Sequence, residues 1–386
     1  MKNDRRIAIL AHSTNPRGGV VHALELGGAL AGLGYAATVF APATGGSAFF
    51  REARCETVCV PADAAGLDVH AMVVARAADY VRYFERRENR RFDVWHAQDG
   101  ISGNALATLK EHGFIGGFVR TVHHVDTFAD EKLSALQRRA IRQADHLFVV
   151  GRLWGDWLAR EFGMEATYVG NGVDMARFSP KPDPTDAELR EYLNLPADAV
   201  VFLSIGGVEE RKNTIRILHA FQALRLHYPQ SRLVIAGGAS LLDHSEYQSR
   251  FAGALAHCGQ GASAVIRTGP LRQKLIPALY RAAAALVVPS IREGFGLTVL
   301  EAMASGVPVV TSRLPPFTDY LGEDDAALCD PFDVHSIVAA MTLACDPASR
   351  AKFIARGFEV AARHDWKLTA RAHLPIYAKI AESVDA

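Results

Sequence analysis

The chain reads as an α/β protein built from two doubly wound, Rossmann-like domains, on three grounds. Short β-branched runs alternate with longer helical patterns almost from end to end, the order that parallel sheets covered by helices produce. Several runs, such as VVFLSIGG (200–207) and ALVVPS (285–290), are almost wholly apolar, as strands buried on both faces are. At 386 residues the chain is also too long for one ordinary core.

In the first half the predicted strands are IAILAH (7–12), AATVFAP (36–42), DVWHAQ (93–98), FVRTVHH (118–124), HLFVVG (146–151) and ATYVG (166–170), with helical stretches such as 20–33 and 131–143 between them. In the second half they are VVFLSIGG (200–207), RLVIAGG (232–238), AVIRTG (264–269), ALVVPS (285–290) and VPVVTS (307–312). The linking segment FSPKPDPTDAEL (178–189) holds three prolines and several charges, the composition of an exposed connection. The predicted domains therefore run over 1–180 and 181–365, and 366–386 is an amphipathic C-terminal helix. Two such domains face each other across a cleft, and ligands of open parallel sheets bind beyond the carboxyl ends of the strands.

Composition narrows the function. The 42 basic residues balance 42 acidic ones, so no global field draws the chain to nucleic acid. The five cysteines are scattered, without metal-site spacing. The apolar run after MKNDRR is too short for a signal-peptide core, and no stretch approaches the roughly 20 apolar residues of a membrane span. A cytoplasmic protein is expected. The stretch RAADYVRYFERRENRRF (76–92) carries six arginines against three acids. With Val81 and Phe84 on a shared apolar face it suits peripheral contact with anionic headgroups or an acidic acceptor; the plainer reading is a solvated helix packed on the sheet.

Five loops at strand ends are candidates for chemistry. After the first strand, Gly18 and Gly19 open a helix whose N–H groups can cradle an anion; turn chemistry explains the pair equally well. His96, His123 and His124 lie at or near the ends of adjacent strands, and His123 is the strongest candidate, although a strand histidine is more often a core residue. Arg211 and Lys212 follow VVFLSIGG, where cations complement phosphates. After ALVVPS comes REGFGLTVLEAMASG (292–306). Gly294 and Gly296 permit close backbone approach, and the following helix offers free N–H groups. Glu293 and Glu301 are carboxylates able to take vicinal hydroxyls of a sugar or ribose. Thr298 and Glu301 also fit an S/T-x-x-E capping box. A nucleotide sugar matches this combination of phosphate and hydroxyl recognition.

At these residues the chain resembles glycosyltransferase family 4, retaining enzymes of the GT-B fold. The segment PSIREGFGLTVLEAMASGVPVVTS looks like the family's E-x7-E signature, VGNGVDMARFSP (169–180) resembles its interdomain segment, and the tail around Trp366 its C-terminal helix returning to the N-terminal domain. The resemblance implies transfer of a hexosyl unit from a nucleoside diphosphate sugar to an acceptor hydroxyl, without metal or other cofactor. It assigns Glu293 and His123 to the donor sugar, Glu301 to the ribose and Lys212 to the diphosphate. The backbone of Gly294, Phe295, Gly296 and Leu297 would approach sugar and diphosphate, Leu271 would hold the base by main chain, and Gly19 would lie near the phosphate. The family's usual arginine before the lysine is Gly207 here, which leaves Arg211 as a candidate substitute. Base, sugar and acceptor (small molecule, glycan or lipid-linked) are not specified. A nucleotide-sugar epimerase or a non-catalytic nucleotide-sugar sensor shares these features; an NAD-dependent oxidoreductase does not, because neither half has the dinucleotide glycine fingerprint.

Overall fold

The computed structural model describes residues 5–64, 68–238 and 244–385. They form two compact units: one comprises the chain up to Asn171 together with Trp366 onward, the other runs from Gly172 to Asp365. The division thus falls ahead of the proline-rich linker, not at 180/181. The Val173 N–H donates to the His364 carbonyl at 2.9 Å and Phe178 packs edge-on against Tyr280. Those contacts anchor 172–180 in the second unit.

The first unit contains, in order, β1 (Arg6–Leu10), α1 (Gly18–Gly32), β2 (Ala36–Ala43), β3 (Glu56–Pro61), α2 (Val69–Glu85), β4 (Val94–Ala97), α3 (Gly100–Glu111), β5 (Val119–Val122), α4 (Glu131–Arg142), β6 (His146–Val149), α5 (Arg152–Phe162) and β7 (Ala166–Tyr168). The strands make one parallel sheet in the order β3-β2-β1-β4-β5-β6-β7. The winding reverses between β1 and β4, which is where such sheets open a crevice. Aspartates start several helices: Asp68 accepts from two N–H groups of α2, and Asp99 and Ser102 form a reciprocal capping box on α3.

Helix α2 carries the first half of the arginine-rich stretch and packs on the sheet, the plainer of the two readings. Phe84 is wholly buried, its ring edge-on to Phe40 and Trp95, and the Tyr80 hydroxyl donates to the carbonyls of Ala11, just past β1, and Phe40, within β2. The apolar face of α2 is part of the core, with Val81 packed against it. Arg76 and Arg82 both pair with the buried Asp79.

The second unit contains α6 (Thr185–Tyr192), β8 (Val201–Ile205), α7 (Thr214–Leu224), β9 (Arg232–Ala236), α8 (Ser245–His257), β10 (Val265–Gly269), α9 (Ile276–Arg281), β11 (Ala285–Val288), α10 (Leu297–Ala304), β12 (Val309–Ser312), β13 (Ala327–Cys329), α11 (Val334–Cys345) and α12 (Pro347–Arg363). Its parallel sheet runs β10-β9-β8-β11-β12-β13, reversing between β8 and β11. Two strands go beyond the sequence reading, β3 and β13. Both are sheet edges; β3 is largely exposed and β13 is only three residues long.

The last helix, α13 (Trp366–Asp385), belongs to the first unit. Its buried residues Trp366, Thr369, Ala370, His373 and Tyr377 pack toward α1 and β4. Among the described residues no helix is long and apolar enough to cross a membrane.

Candidate active site

In the second unit the loops after β8 and β11 meet at the reversal point, and each is shaped by glycine. Gly206 and Gly207 have φ of +125° and +73°, and both N–H groups donate to the Ala236 carbonyl. A Cβ on Gly207 would lie 2.9 Å from the Gly238 carbonyl oxygen, so this loop has no room for an arginine at that position. A Cβ on Gly206 would lie 2.8 Å from Lys212 Cε: the bare backbone makes the trough along which the lysine stem runs. A short 3₁₀ turn, Glu210–Lys212, then delivers the lysine, and Asn213, at φ +62°, starts α7. The Asn213 amide donates to the carbonyls of Pro289 and Pro331, and the Ile291 N–H donates to the Arg211 carbonyl. These bonds lock the two loops together.

The result is an ion pair between Lys212 Nζ and Glu293 Oε2 at 2.5 Å, with Arg211 Nη1 3.5 Å from the other carboxylate oxygen. Both members are mostly buried, at 11% and 14% side-chain exposure. Burial would raise the Glu293 carboxyl, but the charges of Lys212 and Arg211, with hydrogen bonds from Lys212 and the Gly294 N–H, pull it down to about 2. It is ionised at any working pH. Arg211 also pairs through Nε with Glu209 at 2.8 Å, so it stands beside the lysine as a second cation, 41% exposed.

Beyond Glu293 the chain passes through Phe295, stacked on Tyr320 at 4.8 Å, to Gly296 at φ +98°. Gly296 is the cap residue of α10. Thr298 therefore lies inside the first turn, and the Thr298–Glu301 pair is not a capping box. The Glu301 carboxylate instead accepts from the Tyr280 hydroxyl at 2.5 Å. Burial first, then the neighbouring Glu301 charge, push that phenol well above its usual range. Leu297 is the first residue of α10, and Gly294, three positions before it, is half-buried. Leu271, also half-buried, follows β10, two strands from β8 on the same carboxyl side of the sheet.

In the first unit the loops after β1, β4 and β5 converge. Gly18 opens α1 with no side-chain cap, so its first amides remain donors toward solvent or an anion. A Cβ on Gly19 would lie 3.3 Å from His123 Cδ2, which puts the helix start directly against that imidazole. Across the reversal point His12 Nδ1 lies 3.5 Å from Asp99 Oδ2. His124 is exposed and faces Asp126.

Sequence reasoning missed the surroundings of His123. His22, deep in an apolar helix, shares a hydrogen bond of 2.7 Å with Asn171 and sits edge-on to His123, Trp366 and His373. His96 lies between Tyr377 and Thr121. Burial holds all these imidazoles neutral: His22 falls to about 4, His373 to about 3, and His96 and His123 well below the usual range. Apolar periodicity marks such histidines only as core, and their partners are remote in the chain. No group of His, Cys, Asp and Glu among the described residues has the geometry of a metal site.

Chemically, the second unit offers an ionised carboxylate flanked by two cations, a second carboxylate held by a phenol, and the amide start of a helix. That set suits a ligand carrying both phosphates and hydroxyls. Comparison with known proteins agrees with the architecture. The family model for glycosyl transferases group 1 matches residues 185–360, and that for Glycosyltransferase Family 4 matches residues 16–177. A D-inositol 3-phosphate glycosyltransferase of Xylanimonas cellulosilytica is 30% identical, over 97% of this chain and 96% of its own length. Among solved structures, the sucrose-phosphate synthase of Thermosynechococcus elongatus superposes with a TM-score of 0.79 at 22% identity, covering 97% of this chain and 99% of that one. Anabaena HepE in complex with UDP and glucose gives 0.76 at 18% identity, covering 98% and 99%. These last two likenesses establish the shared two-domain fold.

Proposed function

The chain belongs to glycosyltransferase family 4, with the GT-B fold, and from that premise we propose that it is a metal-independent, retaining enzyme that moves a hexosyl unit from a nucleoside diphosphate sugar to an acceptor hydroxyl. The observation that carries this reading is the Lys212–Glu293 pair, which joins the carboxyl ends of β8 and β11 at the reversal point of the sheet. A single small region there supplies a cation for phosphate and a permanently ionised acceptor for sugar hydroxyls. Glu301 takes the ribose hydroxyls, Leu271 holds the base through its main chain, and Gly294 to Leu297 bring backbone against the sugar and diphosphate. Gly18, Gly19 and His123, at the carboxyl end of the first unit's sheet, are proposed to take phosphate and sugar.

In the reaction the bond from the anomeric carbon to the diphosphate oxygen breaks, and the acceptor oxygen bonds to the same face of that carbon. The acceptor proton passes to the departing diphosphate. The leaving charge is met by Lys212, by Arg211 and by the first amides of α10. Arg211 is the nearest replacement for the arginine that the glycine at 207 excludes. Glu293 and Lys212 each hold the other in place before the donor arrives, so little rearrangement accompanies the reaction.

The test is a panel of nucleotide sugars followed by thermal shift, then mass spectrometry of products with excess EDTA present. D-inositol 3-phosphate and a cell extract serve as acceptors, the former because a relative carries that name. One donor is expected to raise the melting temperature and to yield a glycosylated product whose anomeric configuration matches the donor's. Inverted product, or activity abolished by EDTA and restored by a divalent cation, would overturn the mechanism. Turnover of the donor to another nucleotide sugar with no acceptor would make the enzyme an epimerase.

A further inference from the structure

The loop after β4 begins with Gln98, a polar residue only 2% exposed. Its Oε1 lies 2.9 Å from His123 Nε2. An amide oxygen can only accept, so the proton of the neutral imidazole sits on Nε2 and leaves Nδ1 as the acceptor of the ring. The other end of the same amide, Nε2, lies 3.2 Å from His96 Nε2. His96 is in turn fixed by Thr121 Oγ1 at 2.8 Å and, through Nδ1, by the Tyr377 hydroxyl of α13 at 2.6 Å. Every member of this chain except His123 is buried. A buried polar chain with both ends occupied has few ways to rearrange.

We propose that Gln98 is a positioning residue that locks His123 as the Nε2–H tautomer, offering Nδ1 as an acceptor to a hydroxyl of the bound sugar, and that Tyr377 sets the Gln98 amide through His96. The tautomer follows from the geometry of the first unit. Its consequence for transfer rests on the placement of His123 at the donor sugar proposed above. Second partners of this kind fix which ring nitrogen does the work, as they do for catalytic and metal-bound histidines.

The experiment is two-bond proton–nitrogen NMR of the full chain labelled in histidine, with His123 assigned by its loss in His123→Asn. The native protein is expected to show a protonated Nε2 and an unprotonated Nδ1 at His123. Gln98→Leu is expected to give a mixture of tautomers and a rise of roughly tenfold in donor KM, the worth of one hydrogen bond, with kcat less affected. Tyr377→Phe shifts the tautomer balance in the same direction. Gln98→Glu still accepts from Nε2–H but adds a negative charge that raises the His123 pKa. Protonation then occupies Nδ1, so activity of that variant falls as pH is lowered while native activity does not. A native His123 protonated on Nδ1 overturns the proposal without any variant having to fold, and so does an unchanged tautomer in Gln98→Leu. If the tautomers behave as expected but Gln98→Leu and His123→Ala both transfer sugar at the native rate, the tautomer lock stands and the placement of His123 at the donor falls.

Discussion

Glu293 carries two roles at once, and they can be separated. As a ligand contact it accepts hydroxyls; as a structural group it neutralises Lys212 at 2.5 Å. Glu293→Gln keeps the shape and removes the charge, so transfer is expected to be abolished while the circular-dichroism spectrum is retained. Product mass spectrometry at native protein concentration checks this, and full activity would contradict the assigned role. Lys212 would then be a mostly buried cation with a neutral partner, at a cost of a few kcal/mol. Glu301 differs. Because Gly296 caps α10 and Tyr280 holds the carboxylate, Glu301→Ala removes no helix cap. Calorimetric titration with the donor found by the thermal-shift screen is expected to show at least tenfold weaker binding, and unchanged affinity would remove Glu301 from the site. The two glutamates and the lysine were legible as residues because they follow buried strands. Their partners were not: Lys212 lies 81 positions from Glu293, and nothing local points to Tyr280.

At the scale of the element, the glycine loop before α10 is the most constrained piece of the site. Gly296 combines φ of +98° with a position where a Cβ would lie 2.6 Å from the Phe317 ring. Gly296→Ala therefore meets both backbone strain and a clash, and is expected to cost at least about 2 kcal/mol, measured by urea unfolding at constant m. A neutral result would mean the loop adopts another conformation. Helix starts show why element ends are harder to read than element cores. The aspartates ahead of α2 and α3 do cap their helices, but the same kind of pattern at Thr298 does not. A glycine two residues earlier had already begun the helix. Strand cores were clear from runs such as ALVVPS, whereas β3 is largely exposed and β13 spans only three residues.

At the scale of the whole molecule, the buried imidazoles make stability depend on pH. His22 titrates at about 4 in the folded chain against 6.5 ordinarily, because burial disfavours its cation; His373 falls to about 3. Between these values the unfolded chain binds protons that the folded chain refuses. Stability is thus complete above 6.5 and falls as pH drops toward 4, by on the order of 3 kcal/mol for His22 alone. Glu293 enters the window later, since its depressed pKa withdraws stability only as pH falls from 4.5 toward 2. Calorimetric melting across this range should show the first loss in the unit that contains α13. His22→Gln flattens that loss by removing one titrating group; a melting temperature independent of pH down to 4 would refute the assignment.

The primary sequence was enough for the alternation of strands and helices, the balance of charge, and the glycine–carboxylate loop after β11, because periodicity and turn chemistry reside in neighbouring residues. Three-dimensional packing alone settled which groups touch. It joined His22 to Asn171 across 149 positions and His96 to Tyr377 across 281, moved the boundary of the units to Asn171, and turned the apolar face of α2 inward. Pairing, burial and protonation depend on what else occupies the same space, and a linear order of residues does not contain that information until the chain has closed on itself.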